Sequence, residues 1–101
     1  MAVIGLTADG KKIVAKSTSG PSAYAVTGFP ITIDELTRVD AVIFSEISGG
    51  YRIAGTSISG NVVTVLIHYF DYDAGSDGAS ITVPANTDLH LQTVKLVVIG
   101  T

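Results

Sequence analysis

The chain has 101 residues, a formal net charge of −3, no cysteine and no tryptophan, and is 47% hydrophobic against 15% charged. That length supports one domain, residues 1–101, with a single core. The missing cysteines exclude disulfides and thiolate chemistry, and the acidic balance argues against a nucleic-acid partner, which needs several cations on one face.

In chain order, residues 2–8 read as a first strand. The apolar start lacks a basic n-region, so it is not read as a secretion signal. Asp9-Gly10 is a hairpin turn into a second strand over residues 11–16, because Asp-Gly between apolar runs favours a two-residue connection. Residues 17–21 form a loop and residues 22–26 a short extended piece, broken at Gly28-Phe29-Pro30. Ile31 and Ile33 then share a face, and residues 34–37 hold at most one helical turn with Asp34 as N-cap.

Three long apolar runs follow, at residues 36–47, 51–58 and 62–72. Gly49-Gly50 and Ser59-Gly60-Asn61 separate them, which predicts a three-stranded antiparallel meander. In the first run, alternation puts Val39, Ala41 and Ile43 on one face and Asp40, Val42 and Phe44 on the other. The third run is apolar on both faces, Val63, Val65, Ile67 and Tyr69 against Val62, Leu66, Phe70 and Tyr72. Such a strand is central in its sheet or covered by another subunit. Residues 71–79 read as a polar loop, 80–83 as a short strand closed by Pro84, and 89–99 as the last strand. In that strand Val94, Leu96 and Val98 lie opposite Leu91, Val97 and Ile99. The whole predicts an all-β single domain, an antiparallel β-sandwich or small barrel of about seven to nine short strands.

Candidate sites are few. Asp71, Asp73 and Asp77 alternate with glycine, as in loops that hold calcium, but the ligand spacing fails: Gly75 falls where an oxygen ligand is needed. A solvated turn-rich loop is the preferred reading, and no cofactor is expected. His68 and His90, with Asp88 nearby in sequence, lie on different predicted strands, and His68 is read as packing among Leu66, Phe70 and Tyr72. Asp34, Glu35, Asp40 and Glu46 have no spacing that selects a glycosidase-like pair. No serine occupies a nucleophile elbow, and the glycine pairs turn hairpins without opening helices. The expectation is therefore no enzyme and no catalytic residue. Tyr24, Tyr51, Tyr69 and Tyr72 are read as core or interface residues, with a sugar-binding platform as the alternative. Lys11, Lys12 and Lys16 form the only basic cluster. No run reaches the roughly 18 apolar residues of a spanning helix, so no membrane partner is expected.

The order of residues 31–43 with its Val39-Asp40-Ala41-Val42, then Gly49-Gly50-Tyr51, the hairpin at 59–65, and the closing Asp88-Leu89 and residues 94–100 resembles small β-rich virion proteins of tailed phages and their archaeal relatives. The resemblance spans residues 31–100. It implies a non-enzymatic particle component, a capsid decoration (cement) or minor capsid protein, made in the host cytoplasm and located in the virion. The partners it implies are further copies of the chain and a major capsid protein. Low charge with a both-sided apolar strand points the same way, since exposed apolar surface is sticky unless an assembly covers it. Tyr51, Leu66, His68, Phe70 and Tyr72 are the interface candidates. The alternatives are a carbohydrate- or cell-surface-binding module and a tail structural protein.

Overall fold

A computed structural model describes residues 2–6, 10–71 and 79–101. Its β-branched, alternating segments form eight strands: β1 (Ala2–Leu6), β2 (Lys12–Ser19), β3 (Phe29–Thr32), β4 (Val39–Ile47), β5 (Tyr51–Ser59), β6 (Val62–Asp71), β7 (Ala79–Thr82) and β8 (Thr93–Gly100). No helix occurs among the described residues. All pairings are antiparallel and fall into two sheets. The first has the order β1-β2-β8-β4; the second is β3-β6-β5, with β7 also paired to β6. β3 covers residues 62–65 of β6 and β7 covers residues 68–71, so the two short strands follow one another along one side of β6 while β5 takes the other.

Both sheets contribute to one core. Val14, Val39, Ile47, Val94, Leu96 and Val98 come from the first sheet, and Ile31, Val63, Val65 and Ile67 from the second. Each such side chain removed from water contributes about 1.5–3 kcal/mol. β6 has the central position expected for it, with Val63, Val65 and Ile67 fully buried on the inner face and Thr64 and His68 interrupting the apolar residues of the outer one.

The predicted three-stranded meander is corrected. β5 and β6 form the expected hairpin, but β4 belongs to the other sheet and pairs with β8. The crossing occurs at Ser48-Gly49-Gly50. The Ser48 amide donates to the Thr93 carbonyl (3.1 Å) and the Thr93 amide donates to Ser48 Oγ (2.9 Å), which ties the end of β4 to the start of β8. Gly49 and Gly50 follow with φ of +77° and +83°, values glycine adopts without a Cβ clash, and turn the chain into the second sheet.

Strand faces change as well. β4 carries irregularities between Val39 and Ala41 and between Val42 and Phe44, so Asp40 and Ile43 have no partner in the register. Each extra residue reverses the alternation that follows it. Val42 therefore packs against the core beside Val39 and Ile47, while Ala41 and Ile43 are exposed. This overturns the grouping of Val39, Ala41 and Ile43 on one face.

Other boundaries also differ. Residues 17–19, read as loop, extend β2 and pair with residues 93–95 of β8. Residues 22–26 form no strand; Tyr24 is buried there and its backbone exchanges bonds with Thr87 and Asn86. Pro30, expected at a break, lies inside β3, where a strand paired on one side leaves room for a residue without an amide proton. Residues 89–92 form a turn, not the start of the last strand, because the Leu89 amide donates to the Pro21 carbonyl and the Gln92 amide to the Leu89 carbonyl.

Candidate functional site

Cross-strand register brings Tyr51 and Tyr69 directly opposite each other on the inner face of the second sheet, beyond the Ile53–Ile67 pair. Both rings are half-buried and pack against the edge of the core. Gly49 and Gly50 from the β4–β5 turn, with Val83, Pro84 and Thr87 from the segment after β7, complete a cleft of about 360 Å³ that is open to solvent. Thr87 Oγ1 donates to the Pro84 carbonyl at 2.7 Å and stiffens the turn that forms one wall. Neither tyrosine hydroxyl has a hydrogen-bond partner among the described residues. Tyr24 has a different part. Its ring is buried, and its hydroxyl accepts the Ile67 amide at 2.9 Å, which places it in the core. Tyr72 lies outside the described residues.

A second feature is the outer face of the first sheet. Register aligns three rows across β2, β8 and β4: Ile13–Ile99–Ala41, Ala15–Val97–Phe44 and Ser17–Lys95–Glu46. Two rows are wholly apolar. Phe44 is 47% exposed and Ile43, at the bulge beside it, is 58% exposed. A depression of about 270 Å³ runs between Ala15, Ser17, Val97, Lys95 and Phe44.

The remaining candidates are distributed. On the outer face of the second sheet, Leu66 is 37% exposed and His68 stands between Arg52 and Thr82, with its Nε2 3.1 Å from Thr82 Oγ1. His90 bonds instead to Asp88: its amide donates to Asp88 Oδ1 at 3.0 Å, and its ring Nδ1 faces the same oxygen. Those two bonds, the amide first, hold the Asp88 carboxyl below the usual aspartate range. Asp40 lies between Lys11 (3.0 Å) and Arg38 (3.3 Å), and Glu46 faces Lys95 at 3.9 Å. Asp34 is exposed and Glu35 half-buried. Lys12 is exposed, while Lys16 points inward opposite Leu96. Among the described residues no three His, Cys, Asp or Glu side chains gather into a metal-binding group. Asp73 and Asp77, in the segment read as a solvated loop, lie outside the described residues, as does the side chain of Phe70, and of Asp71 only the backbone pairing with Ala79 is described.

Residue reasoning singled out the tyrosines but not the cleft, whose walls come from segments far apart in the chain. No family model, curated protein or solved structure matches the chain.

Proposed function

We propose that the chain is a non-enzymatic, self-associating structural module, built as an antiparallel β-sandwich and serving as a capsid decoration or minor capsid protein of a virus particle. The observation that carries self-association is the apolar outer face of the first sheet, where Ile13, Ala15, Val97, Ile99 and Phe44 form two adjoining rows. Exposed Phe44 and Ile43 add large apolar side chains at its β4 margin. A face of this kind on a chain with so few charges gains free energy when a neighbour excludes water from it. The assignment to a virus particle rests on the resemblance over residues 31–100.

Sedimentation velocity and light scattering across a wide concentration range test the reading. Reversible association is expected, with Phe44→Glu and Ile43→Glu shifting the population to monomer at unchanged circular dichroism. A wild-type chain that stays monomeric at high concentration and does not bind purified capsids overturns it.

A further inference from the structure

We propose that the cleft between the β4–β5 turn and the Val83–Thr87 segment is a binding site for a neutral saccharide, with Tyr51 and Tyr69 as the residues that contact the sugar. This site shares no residue with the lining of the depression on the first sheet, so it stands independently of self-association.

Four observations define the ligand. At about 360 Å³ the cleft has the size of a small-molecule site and is open to solvent, so it accommodates one or two rings of a longer chain. Its described lining, Gly49, Gly50, Tyr51, Tyr69, Val83, Pro84 and Thr87, carries no charge, which disfavours phosphorylated or carboxylated ligands. Tyr51 and Tyr69, paired across β5 and β6, present adjacent aromatic surface anchored on the core and therefore held at little entropic cost. Their hydroxyls have no partner among the described residues, and each can both donate and accept. A pyranose ring matches that combination. Its axial C–H face packs on an aromatic ring, and its equatorial hydroxyls reach the phenols and the peptide groups of the turn. Gly49 and Gly50 bring backbone close to the cleft without side chains. The positive φ at both positions makes a replacement there strained.

The contrast with Tyr24 sharpens the assignment. That hydroxyl is consumed by the Ile67 amide inside the core, whereas neither hydroxyl of the cleft pair has a partner among the described residues.

The test uses the full chain with maltotetraose, cellotetraose and chitotetraose as neutral probes and 3′-sialyllactose as a charged control. Binding is read by saturation-transfer NMR and by tyrosine emission, which is usable because the chain has no tryptophan. At least one neutral probe is expected to bind at millimolar concentration or tighter, with sugar ring protons saturated and Gly49, Gly50 and Thr87 amide signals shifted. Tyr51→Ala and Tyr69→Ala should each weaken it about tenfold or more. Tyr51→Phe and Tyr69→Phe, which keep the packed ring and so the fold, should weaken it severalfold through the lost hydroxyl alone. The proposal is overturned if no neutral probe shifts the cleft amides, if only sialyllactose binds, or if both Phe variants bind as the wild type does.

Discussion

Tyr24 shows how one side chain can stabilise a strand from outside its sheet. Ile67 is fully buried on the inner face of β6, and the Tyr24 hydroxyl accepts its amide proton at 2.9 Å. Tyr24→Phe keeps the ring and strands that amide, so we expect a loss of about 1–3 kcal/mol in urea unfolding. A loss below about 0.5 kcal/mol would mean that the amide finds another partner. None of this was legible at Tyr24 in the sequence. A tyrosine followed by alanine and valine reads as a strand position, and only the fold brings β6 to it. Tyr51 and Tyr69 were legible as aromatic candidates by residue type, but their pairing was not: the hairpin at Gly60-Asn61 alone sets Tyr51 opposite Phe70, and the irregularity between Ile53 and Gly55 moves it to Tyr69. Nor was their cleft legible, since Val83 and Thr87 are separated from Tyr51 by more than thirty residues.

At the level of elements, β4 is the instructive strand. Ile43 and Ile47 are four residues apart, and strict alternation gives them the same environment. The bulge at Ile43 separates them: Ile43 is 58% exposed and Ile47 only 9%. Ile47→Ala is therefore expected to destabilise by about 2–5 kcal/mol, and Ile43→Ala by no more than about 0.5 kcal/mol. Chemical denaturation of the two variants side by side checks this, and equal losses would contradict the register. The bulges also fit the position of β4 at the edge of its sheet, where an irregular strand resists uncontrolled pairing with other chains. Hairpin β5–β6 needs no such device on β6, which has partners on both sides. Its turn is instead anchored to the segment before β4. The Ile33 and Val39 amides donate to the Asn61 and Gly60 carbonyls (both 2.8 Å), and Asn61 Nδ2 donates to the Leu36 carbonyl at 3.2 Å.

For the molecule as a whole, the two sheets share one interior and differ in what they show to water. The second sheet's outer face mixes Thr32, Thr64, Ser57, Ser59, Arg52 and His68 with Val62 and Leu66. The first sheet's outer face is apolar over two adjoining rows across β2, β8 and β4, with Lys95 and Glu46 in the row beyond Phe44. If association proceeds through that face, burial of apolar surface drives it, and screening of charge does not. Sedimentation velocity is then expected to show association that persists in about 1 M sodium chloride, where the screening length falls to about 3 Å. Association should strengthen in ammonium sulfate, which favours burial of surface. Dissociation by sodium chloride would instead assign the contact to ion pairs such as those available to Lys95 and Glu46.

By itself the sequence determined the all-β character, the turns at Gly49-Gly50 and Gly60-Asn61, and the β5–β6 hairpin with Val63, Val65 and Ile67 on one face; Asp9 of the expected Asp9-Gly10 turn lies outside the described residues. These follow from steric preferences and side-chain alternation that act over a few residues. Only the tertiary structure decided that β4 leaves β5 to pair with β8, that its bulges exchange inner and outer residues, and that Tyr24 belongs to the core while Tyr51 and Tyr69 line a cleft. Those outcomes depend on partners some fifty residues away, such as the pairing of Phe44 with Val97. A local pattern favours a strand equally well whichever neighbour eventually completes its hydrogen bonds.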